Sequence, residues 1–197
     1  MVSTSMSAII AVGASTGGPR ALQTLLSHFS PDVPASIVVV QHMPPRFTKS
    51  LAKRLDGLCS LHVTEAEDGQ PLQNGSVYIA PGDFHMRVVS SPKGGFQISL
   101  RKDPPYGGHR PSVDVLFHSL VVLPSPPRLF GVLLTGMGRD GAEGLAAIKA
   151  SGGTTIAEAE ESCIVFGMPK AAIEKGCVDW VLPVDQIAER LKELIEW

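Results

Sequence analysis

The feature that most constrains this chain is a set of short, almost wholly apolar segments, spaced by stretches of helix length. Ala8–Val12 (AIIAV), Ser36–Val40 (SIVVV) and Leu129–Leu134 (LFGVLL) lack the in/out alternation of a strand with one wet face. Strands of that kind are buried on both faces, as in a parallel sheet covered by helices. The connecting segments fit. Helices are expected at about Pro19–His28, Phe47–Leu58, Ser112–Val122, Ala142–Ala150, Pro169–Lys175 and Asp185–Ile195. In the last, Ile187, Ala188, Leu191, Leu194 and Ile195 trace one face. Pro19 falls in a first turn, where its missing N–H costs nothing, and Ser112 is a candidate N-cap. Further short strands are expected at Leu61–Glu65, Thr154–Ala157 and Asp179–Leu182.

The middle of the chain changes character. Ser76–Ala80, Met86–Ser90 and Phe96–Leu100 are short and punctuated by Pro-Gly and Gly-Gly, the pattern of hairpins. The expected fold class is therefore α/β: a doubly wound, mostly parallel sheet flanked by helices, with an antiparallel hairpin insertion. At 197 residues with 44% hydrophobic side chains, the chain suffices for one domain with a sizeable core.

Charge and composition exclude several classes. Seventeen Lys and Arg against nineteen Asp and Glu leave a net charge of -2, without the basic excess that holds a nucleic acid. No apolar run approaches the length of a membrane span and no secretory signal opens the chain. Cys59, Cys163 and Cys177 form no even set or close pair, which fits reduced thiols in the cytoplasm.

In open α/β sheets, ligands bind beyond the carboxyl ends of the strands. Three such ends carry chemistry here: Gly13-Ala14-Ser15-Thr16-Gly17-Gly18, Gln41-His42, and Thr135-Gly136-Met137-Gly138-Arg139-Asp140. One serine, one histidine and one aspartate thus share an edge. A hydroxyl becomes a good nucleophile when an imidazole takes its proton, and the imidazole needs a carboxylate to fix its tautomer. The segment around Ser15 fits G-x-S-x-G, a strand–turn–helix elbow. By itself it equally suits a phosphate or dinucleotide loop. Against that reading, no Lys follows the glycines, and the second strand ends in Gln41-His42 where a ribose-binding acid would stand. The order Ser15, His42, Asp140 also differs from that of α/β-hydrolases, so serine hydrolysis would sit on another scaffold.

His42 is the preferred base because its strand lies beside the elbow's strand. His28 and His62 fall at element margins, His85 follows Asp83 in APGDFHM, and Asp114, His118 and His109 raise a metal site. Their spacing lacks three or four converging ligands, so no metal and no cofactor is expected. Arg46, Lys49, Lys53 and Arg54 follow His42 on a helix, as a solvated face or as a docking surface for an acidic protein substrate.

The motifs GASTGGP (Gly13–Pro19), QHMPPRFT (Gln41–Thr48), EAEDG (Glu65–Gly69), YIAPGDFHM (Tyr78–Met86), RPSVDVLF (Arg110–Phe117), LTGMGRDG (Leu134–Gly141) and FGMPKAAI (Phe166–Ile173) stand in order along the chain. Together, over about Ser7 to Leu191, they closely resemble the catalytic domain of the chemotaxis protein-glutamate methylesterases, the CheB family. The resemblance implies hydrolysis of glutamyl methyl esters on the cytoplasmic helices of chemoreceptors, with methanol released, and often deamidation of receptor glutamines. It implies Ser15 as nucleophile, His42 as base and Asp140 as orienting carboxylate. Backbone N–H groups at Thr16 and Met137, which flank these positions, are the expected oxyanion donors. Family members typically carry an N-terminal phosphoacceptor receiver domain, and this chain has none. Residues 1–7 are then a remnant or linker and 8–197 the catalytic domain. A general small-ester hydrolase, or a nucleotide-binding or signalling module without turnover, would be the competing functions.

Overall fold

The computed structural model describes residues 6–195. Seven strands form one wholly parallel sheet: β1 (Ala8–Ala14), β2 (Ala35–Gln41), β3 (His62–Glu65), β4 (Ser76–Ile79), β7 (Arg128–Leu133), β8 (Thr154–Glu158) and β9 (Trp180–Leu182). Their order is β3-β4-β2-β1-β7-β8-β9. β5 (His85–Ser90) and β6 (Phe96–Arg101) pair separately as an antiparallel hairpin. The expected fold class therefore holds, with one correction. The Ser76–Ala80 segment is no hairpin strand: as β4 it lies in the main sheet between β2 and β3. Its Ser-Val-Tyr-Ile run is buried throughout, and a strand covered on both faces belongs inside a parallel sheet whatever loop chemistry follows it.

Six helices cover the two faces. α1 (Gly18–Ser27), α2 (Phe47–Asp56) and α6 (Val184–Ile195) lie on one, α3 (Val113–Val121), α4 (Ala142–Ala150) and α5 (Met168–Glu174) on the other. β1 shows why both are needed. Ala8, Ile10, Val12 and Ala14 pack into the layer with Leu22, Leu25, Leu55 and Leu191, whereas Ile9 and Ala11 enter the layer with Leu116, Phe117 and Leu145. The hairpin lies over α3 through Met86, Val88 and Ile98, and the Val88 amide donates to Ser119 Oγ at 3.0 Å. Residues 1–5 of the expected N-terminal remnant fall outside the described residues. No described helix is long and apolar enough to cross a membrane.

The winding matters for function. From β1 the chain proceeds through β2 to one side, and from β7 through β8 and β9 to the other. The direction reverses between β1 and β7, the place where open α/β sheets leave a crevice at their carboxyl edge.

Candidate active site

Ser15 follows β1 directly, His42 follows β2, and Asp140 ends the loop that leaves β7. β2, β1 and β7 are neighbours in the sheet, and Ala14 pairs with Gln41, so Ser15 and His42 leave the sheet side by side. The His42 amide donates to Ala14 O at 3.0 Å and the Ser15 amide to Thr135 O at 3.0 Å, tying the three strand ends together. Ser15 is half-buried, and Thr16 beyond it is exposed.

The turn after Ser15 depends on two glycines. Gly17 has φ 84°, and a Cβ there would lie 2.7 Å from that of Ile164. Gly18 begins α1 and packs against the Gln41 carboxamide: a Cβ would sit 1.8 Å from Gln41 Oε1. Gln41 Nε2 in turn donates to Ser15 O at 2.8 Å and to His42 O at 3.2 Å. One buried amide thus bridges the two residues expected to be nucleophile and base. The sequence alone places Gln41 at the strand end and carries no signal of this role.

The aspartate and histidine meet. His42 Nε2 and Asp140 Oδ2 are 2.7 Å apart, with side-chain exposures of 10% and 4%. A carboxylate only accepts, so Nε2 carries the proton and Nδ1 keeps the lone pair. Nδ1 is buried and has no hydrogen-bond partner. Asp140 is further held at the start of α3, where Ser112 Oγ donates to Oδ1 at 2.8 Å, the Val113 amide to Oδ2 at 2.7 Å and the Asp114 amide to Oδ1 at 3.1 Å. Burial alone would push the Asp140 carboxyl up. The bonds from His42, from the Asp114 and Val113 amides and from Ser112 outweigh it and hold the group below its ordinary value. Asp140 therefore stays ionised beside the imidazole. Ser112 caps α3 as the sequence predicts, but its bond to Asp140 joins residues far apart in sequence and had no local signal.

His109 lies face to face with His42, ring centres 4.0 Å apart and planes within 2°. Burial first, and then the neighbouring His42 ring, which would repel a second charge, lower its pKa, while Asp140 acts the other way. The sequence raised His109 only as a metal ligand. That cluster does not converge: His118 Nδ1 bonds the Asp114 carbonyl at 2.8 Å, and Asp114 Oδ1 accepts from the Gly144 amide at 2.7 Å. Burial, and then the charge of Asp140, raises the Asp114 carboxyl. His85, another candidate base, is fully buried as a strut, with Nε2 3.0 Å from Pro104 O and Nδ1 accepting from the Ser112 amide at 3.3 Å. His28 and His62 are exposed, as are Arg46, Lys49, Lys53 and Arg54.

The Thr135–Asp140 loop runs against the elbow. A Cβ on Gly136 would lie 2.8 Å from Ser15 Cβ. Among the described residues the Thr16 and Met137 amides donate to nothing, and the Met137 side chain is exposed. Thr135 secures this corner: its hydroxyl donates to Thr16 O at 2.9 Å and accepts from the Ile164 and Val165 amides at 3.1 and 3.0 Å. Its own amide donates to Oε2 of the fully buried Glu158 at 2.7 Å. Nearby Cys163 is pushed up to about 12 by burial and by the charge of Glu158. It therefore remains a thiol and supplies no competing nucleophile. Neither Thr135 nor Glu158 stood out in the sequence, because both act through tertiary contacts.

This arrangement has relatives. The model of the CheB methylesterase family matches residues 10–191. A protein-glutamate methylesterase/protein-glutamine glutaminase of Geobacillus kaustophilus is 53% identical over 189 residues, covering 95% of this chain and 54% of that protein. One of Pyrococcus horikoshii is 46% identical over 187 residues, covering 95% and 50%. The crystal structure of the Thermotoga maritima CheB methylesterase catalytic domain superposes with a TM-score of 0.89 at 48% identity, covering 94% of this chain and 97% of that one. The chain spans about half the length of the curated relatives it matches.

Proposed function

Since the chain belongs to the CheB methylesterase family, we propose that residues 8–197 hydrolyse glutamyl methyl esters on the cytoplasmic helices of chemoreceptors, and deamidate receptor glutamines, with Ser15, His42 and Asp140 as the catalytic triad. The observation that carries the assignment is the 2.7 Å contact between His42 Nε2 and ionised Asp140, which leaves a buried lone pair on Nδ1 of a residue whose strand end adjoins the one that bears Ser15.

The reaction follows from those positions. Ser15 Oγ attacks the ester carbonyl while His42 Nδ1 takes its proton, and Asp140 stabilises the imidazolium without becoming protonated. The carbonyl oxygen gains negative charge as the carbon becomes tetrahedral. The free Thr16 and Met137 amides at the mouth of the elbow are the donors for it. Collapse of the intermediate expels methanol, which receives the proton from His42. Water, activated by the same nitrogen, then releases the glutamate carboxylate and restores Ser15. A glutamine follows the same route with ammonia leaving. The residues need no cofactor for any of these steps. A receiver domain, which the family's longer members carry, would regulate this unit as a partner.

The test is methanol release from membranes bearing methylated receptors, with the parent chain and Ser15→Ala. Parent release that Ser15→Ala abolishes, with the melting temperature retained, is the expected result. Hydrolysis of small esters without release from receptors would favour a general esterase. Near-parental release by Ser15→Ala would overturn the triad.

A further inference from the structure

Resting on the esterase reading, we propose that His109 is a positioning residue: its imidazole, stacked flat on His42, holds the ring of the base in the plane that presents Nδ1 to Ser15. The ring centres lie 4.0 Å apart with planes within 2° of parallel.

The need for such a contact follows from how His42 is held. Its bond to Asp140 is made through Nε2. Nε2 lies nearer than Nδ1 to the line of the Cβ–Cγ bond, so rotation about that bond sweeps Nδ1 farther than it disturbs Nε2. The other ring nitrogen has no partner to resist the swing. A flat surface against the ring face opposes that rotation directly, because any tilt opens one edge of the stack and crowds the other. His109 supplies that surface and makes no side-chain hydrogen bond that would draw it elsewhere among the described residues.

The segment bearing His109 is itself anchored. Tyr106 and His109 exchange backbone bonds, Tyr106 N to His109 O at 3.0 Å and His109 N to Tyr106 O at 2.9 Å. The next residue, Arg110, reaches Asp83 through Nε at 3.0 Å and the Asp103 carbonyl through Nη1 at 3.0 Å. Lys102 also pairs with Asp83 at 2.8 Å. Three to five residues after His109, Ser112, Val113 and Asp114 supply the donors that hold Asp140. One continuous stretch, 109–114, therefore positions both members of the histidine–carboxylate pair, one through a ring face and the other through hydrogen bonds.

The experiment compares His109→Phe, His109→Leu and His109→Ala in the full 197-residue chain. Phe keeps a flat face, Leu keeps bulk without one, and Ala removes both. Turnover on a methyl ester should stay within about threefold of parent for Phe and fall on the order of tenfold for Leu and Ala, with KM unchanged, because a misplaced base slows chemistry without weakening binding. Nitrogen NMR of the His42 ring should show the single Nε2–H tautomer in the parent and Phe proteins, and exchange-averaged shifts in Leu and Ala. A Leu variant equal to Phe in rate and spectrum would reduce the contact to filling of space. A loss confined to KM would make His109 a substrate contact. Parental behaviour of the Ala protein in both measurements would end the proposal. Should the parent itself hydrolyse no methyl ester, the functional reading fails, and the ring spectra still decide whether His109 orients His42.

Discussion

Ser112 and Asp140 share one helix end: the Ser112 hydroxyl donates to Asp140 Oδ1 at 2.8 Å while its oxygen accepts from the Val115 amide at 3.4 Å. The N-cap of α3 is thus also part of the wall that holds the carboxylate, and a helix start and an active site depend on one side chain.

Ser112→Ala removes both bonds. Loss of an N-cap costs about 0.5–2 kcal/mol, and the freed Asp140 Oδ1 retains only the Asp114 amide. Urea denaturation should show destabilisation within that range, with a turnover loss smaller than that of Asp140→Asn. Parental stability together with parental turnover would mean the capping oxygen contributes nothing to either.

Asp140→Asn keeps the shape but presents an amide to His42 Nε2, which favours the wrong tautomer; in serine hydrolases such a change costs roughly 10⁴ in turnover. It also changes the pH dependence of stability. The folded Asp140 carboxyl titrates below its ordinary value of 3.8 because its hydrogen bonds outweigh burial. A folded pKa below the unfolded one gives stability that is complete above the ordinary value and is lost as pH falls through the folded value. The parent's advantage in melting temperature over Asp140→Asn should be full at neutral pH and shrink in acid below 3.8. A gap that widens in acid would contradict an ionised Asp140.

Gly18→Ala places a methyl group 1.8 Å from Gln41 Oε1 and 2.9 Å from Ala14 Cβ. Gln41 is only 2% exposed, so its carboxamide has no open space to enter and must break its bonds to Ser15 O and His42 O. Overpacking of this kind costs about 1–3 kcal/mol, and turnover should fall with it. Unchanged turnover in a correctly folded Gly18→Ala protein would show that the Gln41 bridge does not position the elbow.

A phosphonate bound covalently to Ser15 mimics the tetrahedral intermediate. Its non-bridging oxygen should lie within about 3.1 Å of the Thr16 and Met137 nitrogens, the distance at which amides stabilise an oxyanion. A crystal structure of the adduct with that oxygen turned away from both amides would reassign the hole.

The sequence by itself determined the layer architecture, because apolar runs such as Ile9–Val12 and Val38–Val40 have no polar face to give to water. It also determined which residues stand at strand ends, since Gly17, Gly18 and Pro19 punctuate β1 and α1 locally. That Ser15, His42 and Asp140 fall on one edge follows from those two facts alone. The tertiary structure decided what the edge does with them. β4 lies in the main sheet because burial on both faces overrode the turn signals around it. Nε2 faces Asp140 because three donors at the start of α3 hold the carboxylate in place, and nothing near His42 in sequence encodes that direction. The parts played by Gln41, His109, Thr135 and Glu158 became visible only in three dimensions, because hydrogen bonds and ring stacks between distant segments leave no periodicity along the chain.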